Sequence, residues 1–305
     1  MSDSTVEPLG ARSGASPTLP EPRALLTLLK PVTWFPPMWA YLCGIVSAGV
    51  WPESWGLILL GVLLAGPIVC GMSQAANDWC DRHVDAINEP DRPIPSGRIP
   101  GRWGLYVALI MSVLALALGG QLGIWGFWAT VAGVAAAWAY SAEPLRLKRS
   151  GWWGPGLVGL SYETLPWITG AAVALGTGPR FEILAIALLY GLGAHGIMTI
   201  NDFKAIEGDR RMGIRSLPAV YGPQDAARMA ATVMGLAPAI VVPLLLIWGA
   251  PWHALAVFAL LIVQFRATAR WMTDPQGLAP WFNGTGIGPY VLGMMIAAHA
   301  IGGLS

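Results

Sequence analysis

The sequence predicts an all-α, polytopic membrane protein, and three observations support this prediction. Hydrophobic residues make up 55% of the 305-residue chain. Charged residues make up only 11%, against roughly 25% in a typical soluble domain. Apolar runs of about 20 residues recur along the chain, which is the length of a helix that crosses a bilayer. A soluble globular fold is therefore excluded, and a bundle of membrane-spanning helices is expected.

The apolar runs define one membrane-embedded domain, 31–305, with nine spans. Residues 1–30 hold Ser, Pro, Gly and acids but no apolar core of the signal-peptide type, so we expect a flexible cytoplasmic tail. The predicted spans are, in order, 33–50, 56–76, 104–121, 123–140, 153–175, 181–201, 229–248, 252–271 and 286–303.

Basic residues orient these spans, because Lys and Arg are enriched in cytoplasmic loops. Four long connections, 77–103, 141–152, 202–228 and 272–285, alternate along the chain with short turns. Of the 18 basic residues, Arg180 is the only one that falls on the side of the short turns. The long connections and the N-terminus are therefore predicted to be cytoplasmic.

Two acidic segments, 77–98 and 201–218, each begin with Asn-Asp at the cytoplasmic end of a span. Their similarity suggests pseudo-repeated halves. A helix that continues past the bilayer would place the carboxylates of a segment on one face, since residues four or seven apart return to the same side. The residues expected on these faces are Asn77, Asp78, Asp81 and Asp85 in the first segment, and Asp202 and Asp209 in the second.

Carboxylates aligned in this way repel one another unless a cation lies between them, and magnesium fits such a site. Mg²⁺ prefers a few carboxylate oxygens, keeps some of its waters and bridges to substrate phosphates. The alternative is a solvated acidic helix end without a ligand, which explains most isolated Asp pairs. The predicted metal ligands are Asp78, Asp81, Asp85, Asp202 and Asp209, of which all but Asp85 are also predicted to be catalytic.

Basic residues on the same side are suited to clamp a metal-bound diphosphate. The positive-inside rule alone also predicts a basic residue near a span end, so each residue singly has a topological explanation. Arg92, Lys148 and Lys204 are the stronger candidates because they lie beside or between the acidic segments. The full set of predicted substrate-binding residues is Asn77, Arg92, Arg146, Lys148, Asn201, Lys204 and Arg210.

These motifs resemble a known family. The pattern NDxxDxxxD at 77–85 is similar to the first signature of the UbiA-type intramembrane prenyltransferases, and YSAEPLRLKR at 140–149 resembles the family's loop after the fourth helix. The strings NDWCDRHVDAINEPDRPIPSGRIP, NDFKAIEGDRRMGIRSLPAVYG and KPVTWFPPMWAYLCG resemble the chlorophyll and bacteriochlorophyll synthase branch. One departure concerns the second signature, commonly DxxxD, since aligning its last Asp on Asp209 places Ala205 at the first.

The resemblance implies a fold, a reaction and a location. The fold is nine transmembrane helices around a central cavity that opens sideways to lipid, with cytoplasmic loop caps. The reaction joins a C20 prenyl group, phytyl or geranylgeranyl, from its diphosphate to the propionate of bacteriochlorophyllide, with Mg²⁺ as cofactor. The partners are both substrates, the lipid bilayer, and other pigment-pathway or assembly proteins, with no nucleic acid. The location is the inner or intracytoplasmic membrane, with the active site facing the cytoplasm.

Three residues invite further interpretation. We expect Arg146 near the propionate of the acceptor, which is already ionised near neutral pH and needs no general base. His195, in the sixth predicted span, either ligates the central magnesium of the pigment or packs as a hydrogen-bonded core residue. Glu163 lies mid-span, where an ionisable group is often functional, or is protonated and hydrogen-bonded to a neighbouring helix.

Other functions remain as alternatives. Within the family, the acceptor could be a quinone precursor or haem. A phosphatidyl-type transferase also uses aspartates at a span end, but its usual DGxxAR opening is missing from this chain. A cation-coupled transporter would place its acids near the bilayer midplane, whereas here they lie at the predicted cytoplasmic ends of spans.

Overall fold

The computed structural model describes residues 19–304 and confirms the predicted all-α class. In this range no β-strand forms, and an isolated bridge joins Ser150 and Arg215. The α-helices are α1 (Pro22–Leu29), α2 (Phe35–Ser47), α3 (Trp55–Leu63), α4 (Gly71–Asn88), α5 (Trp103–Gln121), α6 (Gly123–Ser141), α7 (Trp153–Gly159), α8 (Leu165–Leu175), α9 (Phe181–Ile200), α10 (Ile206–Met212), α11 (Leu217–Tyr221), α12 (Pro223–Ile247), α13 (Pro251–Trp271), α14 (Ala279–Thr285) and α15 (Gly288–Gly302).

Each predicted span coincides with helical structure, and six helical stretches of the described chain are long and apolar enough to cross a membrane. The chain is therefore a multi-pass membrane protein. The predicted spans 33–50, 123–140 and 153–175 match helices outside these six, so nine crossings stays a prediction. The six stretches are Trp55–Asn88, Trp103–Gln121, Phe181–Lys204, Pro223–Ile247, Pro251–Trp271 and Ala279–Gly302.

The N-terminal tail is shorter than predicted. Residues 1–18 lie outside the described part of the chain, but α1 forms inside the stretch that we expected to be flexible, so that expectation is wrong for 22–29. The apolar face of α1 is the reason. Ala24 and Leu28 are fully buried, and Leu28 belongs to a small core with Met72 and Ala75 of α4.

Two π-helical turns interrupt the long helices. One, Leu64–Cys70, joins α3 to α4, and the other, Leu160–Thr164, joins α7 to α8. A proline lies in the first turn and just after the second, Pro67 and Pro166, and each removes a backbone hydrogen bond from the helix. The Cys70 thiol donates to the Tyr162 hydroxyl at 3.2 Å, so the two wide turns face each other. Single π-turns in helices are frequent at functional sites.

Small residues bring α2 and α8 into close contact, as is common between membrane helices. A Cβ at Gly44 would collide with the Trp167 carbonyl, and one at Gly170 would collide with the Tyr41 carbonyl. Trp167 then stacks on Tyr190 of α9 with ring centroids 5.9 Å apart. These contacts fix the bundle beside the second π-helical turn.

The two acidic segments differ in backbone structure. α4 runs on to Asn88, which confirms that the second predicted span continues as a helix. α9 ends at Ile200 and is followed by a 3-10 turn, Asn201–Lys204, before α10 begins. The prediction that Asp202 and Asp209 share one helical face is therefore wrong. Phe203 in the turn is fully buried and packs edge-on against Trp271 at 5.4 Å, which holds the chain in this bend.

Candidate active site

The three aspartates of α4, Asp78, Asp81 and Asp85, all have basic partners. Asp78 and Asp85 are nearly buried, at 2% and 6% exposed. A carboxylate with so little contact with water is costly unless a cation compensates its charge. The closest ion pair of each aspartate is Lys30 Nζ to Asp78 Oδ1 at 2.7 Å, Lys148 Nζ to Asp81 Oδ2 at 2.5 Å and Arg92 Nη1 to Asp85 Oδ2 at 2.9 Å.

Arg92 links two of the predicted metal ligands. Its Nη1 lies 2.9 Å from Asp85 Oδ2 and 3.5 Å from Asp78 Oδ1. Its Nε and Nη2 also donate to Glu89 at 2.6 and 2.8 Å, which fixes the guanidinium group against α4. Arg92 is therefore held where a diphosphate bound between these carboxylates would meet it.

Asp81 joins α4 to the 141–152 connection. It accepts from Arg146 Nη2 at 2.8 Å and from Lys148 Nζ at 2.5 Å. Arg146 also lies 3.3 Å from Glu143. Burial lowers the pKa of the Lys148 ammonium, and the negative charge of Asp81 opposes that change.

In the second acidic segment, Asp209 of α10 is buried and accepts a hydrogen bond from the Ser216 hydroxyl at 2.5 Å. Burial raises the pKa of the Asp209 carboxyl, and the bond from Ser216 counteracts part of this rise. Asp202 interacts electrostatically with both Asp209 and Lys204. The two carboxylates therefore remain close although they lie on different helical elements.

Several contacts bring the two segments together. The Asn88 side chain at the end of α4 donates to Met212 Sδ at 3.0 Å, at the end of α10. The hydroxyl of Tyr140 interacts electrostatically with Asp81, Asp202 and Asp209, so it is within electrostatic range of both acidic groups. The chain thus gathers the predicted ligands from both halves at one end of the bundle.

The backbone of the 141–152 connection pairs with the second acidic segment. The Arg215 N–H donates to the Arg149 carbonyl at 3.0 Å, and the Gly151 N–H donates to the Arg215 carbonyl at 2.8 Å. A Cβ at Gly151 would collide with this backbone, so the approach requires glycine. The two loops therefore form one joined cap.

The remaining predicted residues divide into two groups. Asn77 lines the cavity described below, and Lys204 lies near Asp202. Asn201 and Arg210 are exposed and engaged elsewhere. The amide oxygen of Asn201 accepts from Asn283 at 3.1 Å, and Arg210 Nε donates to the Ala219 carbonyl at 3.1 Å. Their predicted contacts with substrate stay predictions.

A cavity of about 180 Å³ opens from the acidic end into the bundle. Asn77 and Tyr140 lie at its polar end, and Leu64 and Leu122 lie deep inside it. The hydroxyl of Tyr162 lies in its wall and accepts from Gln74 Nε2 at 3.2 Å. The cavity is otherwise mostly apolar, and small residues of α6, such as Ala129, Gly133 and Ala136, form one of its walls.

The two remaining ionisable candidates are both buried. Glu163 lies in the second π-helical turn at 8% exposure, and its Oε2 has no hydrogen-bond partner within residues 19–304. The ring of His195 is tilted against that of Trp152, with centroids 5.2 Å apart, so it is packed. Neither ring nitrogen has a hydrogen-bond partner within residues 19–304, however, contrary to the expected hydrogen-bonded core residue. Ligation of a pigment metal by His195 stays a prediction.

Sequence reasoning did not single out Lys30 or Tyr162. Lys30 looked like an ordinary positive-inside residue before the first span, and its pairing with Asp78 joins residues 48 apart in sequence. Tyr162 directly precedes Glu163, and the ionisable Glu163 was the residue that the sequence analysis considered at this position. The Pro166 that follows is a signal of an altered helical turn at this position.

The donor atoms present suit a magnesium ion. Asp78 Oδ2 is a buried acceptor without a hydrogen-bond partner in the described range, which is what a metal ligand needs. Across residues 19–304, no three His, Cys, Asp or Glu side chains are grouped to hold a metal by themselves. Mg²⁺ is usually bound by one or two carboxylates together with waters and substrate phosphates, so a complete protein cage is not required.

Comparison with known proteins identifies the family. The model of the UbiA prenyltransferase family matches residues 37–297, which is most of the chain. The chain belongs to the UbiA prenyltransferase family. This result confirms the resemblance and the class of enzyme, an intramembrane prenyltransferase. The predicted branch is also confirmed, as the following relatives show.

The bacteriochlorophyll synthase 33 kDa chain of Rhodobacter capsulatus is 69% identical over 94% of this chain and 96% of its own length. Chlorophyll synthase from Arabidopsis thaliana is 34% identical, covering 97% of this chain and 79% of the relative. A UbiA homolog from Archaeoglobus fulgidus, solved bound to GPP and Mg²⁺, has a TM-score of 0.74 at 20% identity. It covers 91% of this chain and 99% of that chain, which establishes a shared fold.

Proposed function

We propose that this UbiA-family enzyme is a bacteriochlorophyll synthase. It esterifies the propionate of bacteriochlorophyllide with a C20 prenyl group from geranylgeranyl or phytyl diphosphate and releases diphosphate. The observation that carries the proposal is the set of ion-paired carboxylates on α4, a set that begins directly after Asn77 in the wall of an apolar cavity. The identity to the R. capsulatus bacteriochlorophyll synthase chain supports the choice of acceptor.

The diphosphate binds at the acidic end of the cavity. Asp78, Asp81 and Asp85 in the first segment and Asp202 and Asp209 in the second would hold Mg²⁺, which together with waters and the substrate phosphates would supply Lewis-acid assistance to the leaving group. The A. fulgidus homolog solved with GPP and Mg²⁺ supports this assignment for the family. The cations paired with these carboxylates in the first segment are Lys30, Arg92 and Lys148.

The basic residues stabilise the charge that grows on the diphosphate. Arg92 and Lys148 are already fixed beside the carboxylates, at 2.9 and 2.5 Å, so little reorganisation is needed when the substrate binds. Lys204 approaches from the second segment, near Asp202. The proposed clamp therefore has components from both halves of the chain.

The prenyl chain extends into the apolar cavity, which excludes water from the reacting allylic carbon. The carboxylate oxygen of the pigment forms a bond to that carbon while the carbon–oxygen bond to diphosphate breaks. Because a propionate is ionised near neutral pH, no base has to remove a proton. We assign Arg146 to the acceptor carboxylate, since its guanidinium group is held beside Asp81 of the first acidic segment.

The proposed setting is the inner or intracytoplasmic membrane, with nine spans and with the acidic end facing the cytoplasm. The distribution of Lys and Arg along the sequence supports this orientation. Both hydrophobic substrates then enter the helix bundle laterally from the lipid bilayer. Contacts with other pigment-pathway or assembly proteins belong to the same proposal.

The test is an activity assay that contains purified protein, Mg²⁺, bacteriochlorophyllide and geranylgeranyl or phytyl diphosphate. We expect an esterified pigment by chromatography, and we expect EDTA, Asp78→Ala or Asp202→Ala to abolish it. Full activity in either variant would overturn the metal assignment.

Parallel assays with haem or a quinone precursor distinguish the acceptor. Product from one of these, with none from bacteriochlorophyllide, would refute the proposed substrate while leaving the prenyltransferase class intact.

A further inference from the structure

Lys30 has an unusual backbone conformation that directs its side chain to the site. Its φ of 46° lies in the left-handed region, which is uncommon for a residue with a Cβ and for one that precedes a proline. Its N–H donates to the Thr27 carbonyl at 3.3 Å, and its carbonyl accepts from the N–H and the hydroxyl of Thr33 at 2.9 and 2.8 Å. Strain maintained in this way is often associated with function.

The neighbouring residues hold this conformation in place. The indole of Trp34 donates to the Leu29 carbonyl at 2.9 Å, and Leu28 is fully buried beside α4. Lys30 is thus the residue at which the chain turns from α1 towards α2. From this position its ammonium group reaches Asp78 at 2.7 Å, while 29% of the side chain remains exposed.

The carboxylate of Asp78 is only half satisfied. Its Oδ1 faces Lys30 at 2.7 Å and Arg92 at 3.5 Å, whereas its buried Oδ2 has no hydrogen-bond partner in residues 19–304. A divalent cation bound to this carboxylate would lie next to the ammonium group of Lys30. The two positive charges would then share one carboxylate where water is scarce, and their repulsion would weaken the hold of each on Asp78.

We propose that Lys30 substitutes for the metal in the resting enzyme. It neutralises Asp78 until Mg²⁺ arrives with the donor, and it then transfers its ammonium group from the carboxylate to the diphosphate. This inference rests on the proposed function, because it requires a diphosphate donor. Lys30 is the first residue of the KPVTWFPPMWAYLCG string, but the resemblance assigns it no role, and the role proposed here follows from the ion pair and the backbone conformation.

The exchange predicts that replacing Lys30 strengthens the binding of Mg²⁺ but weakens the binding of the prenyl diphosphate. In Lys30→Met, Mg²⁺ no longer has to displace an ammonium group, so the donor-free protein should bind Mg²⁺ more tightly, by roughly tenfold. The same variant lacks a charged partner for the diphosphate, so the KM for the prenyl diphosphate should rise by roughly tenfold or more. A merely structural lysine would weaken both or neither.

The experiment measures Mg²⁺ binding to the donor-free protein by calorimetry and the Mg²⁺-dependent rise in melting temperature. We expect a larger rise in Lys30→Met than in the wild type, since the metal replaces the missing cation at a buried carboxylate. Lys30→Arg retains the positive charge and should behave like the wild type in these two measurements. Arg228→Met removes an exposed ion pair with Asp225 and serves as the matched control.

Weaker or unchanged Mg²⁺ binding in Lys30→Met, or an unchanged KM for the donor, would overturn the inference. If Lys30→Met does not fold, Lys30→Gln with its polar end provides the same comparison. The metal measurements need neither pigment nor turnover. A wild-type protein without synthase activity would therefore refute the proposed function, whereas the Mg²⁺ response would still test Lys30.

Discussion

At the scale of single residues, the site is built from carboxylates whose charges are compensated by specific neighbours. Three aspartates of α4 have cations within 2.9 Å, but Asp209 on the other side has a hydroxyl group instead. A hydroxyl stabilises a carboxylate less than a cation does. Asp209 is therefore the acid whose ionisation depends most on a single hydrogen bond, the one from Ser216.

Substituting that hydroxyl should shift the pH dependence of the enzyme. Burial already raises the pKa of Asp209, and Ser216→Ala removes the bond that favours its ionised form, so the pKa should rise further. Because metal binding needs the carboxylate, activity should be lost at a higher pH on acidification, by roughly half a unit to one unit. The pH profile of kcat/KM for the donor measures this shift.

Thr177→Ala, an exposed hydroxyl substitution elsewhere in the chain, is the control and should leave the profile unchanged. An acid limb that stays in place in Ser216→Ala would show that Asp209 is not required in its ionised form.

At the scale of elements, α6 determines the width of the cavity through its small residues. Gly133 lies seven residues before Tyr140, or about 10 Å deeper along the helix. A Cβ there would lie 3.5 Å from Leu165 and 3.6 Å from Val69, which is ordinary contact distance. An alanine therefore fits at this position, whereas a larger side chain would fill the passage between α6 and the two π-helical turns.

Gly133→Leu should consequently shorten the donor that the enzyme accepts. We expect turnover with C20 diphosphates to fall by roughly a hundredfold, equivalent to about 3 kcal/mol of overpacking, while a C10 donor that ends above the block is much less affected. Activity measured with donors of increasing length checks this, with Gly133→Ala as the control. An equal loss at every chain length would contradict a role in length selection.

The elements also show where sequence reasoning succeeds. The extension of α4 follows from the spacing of Asp78, Asp81 and Asp85, because local helical periodicity places them. The break after α9 does not, because it depends on Phe203 packing against Trp271, a contact between distant parts of the chain. The pairing of Lys30 with Asp78 was missed for the same reason. Helical periodicity predicts contacts between residues that are close in sequence, but it does not predict packing between distant segments.

At the scale of the whole molecule, α1, the 141–152 connection and both acidic segments meet at one end of the bundle. Cations of the chain itself pair there with the three aspartates of α4. We therefore expect this charge compensation to hold the fold together without a metal, although the proposed reaction needs one.

Removing the metal should separate activity from stability. EDTA should abolish synthesis of the esterified pigment, while the melting temperature of the donor-free wild type falls by no more than a few degrees. Adding Mg²⁺ back should restore activity without refolding, and circular dichroism with an activity assay measures both. Loss of helical signal in EDTA would instead show that the metal is a structural part of this fold.

The seam between Gly151 and Arg215 has a consequence for fidelity. An allylic donor that ionises under a poorly closed cap reacts with water, and the cell then loses an activated isoprenoid as a free alcohol. The two loops are joined backbone to backbone, with no room for a side chain at Gly151, so they form one continuous cap. We therefore expect the seam to limit hydrolysis of the donor, which the ratio of pigment ester to prenyl alcohol measures.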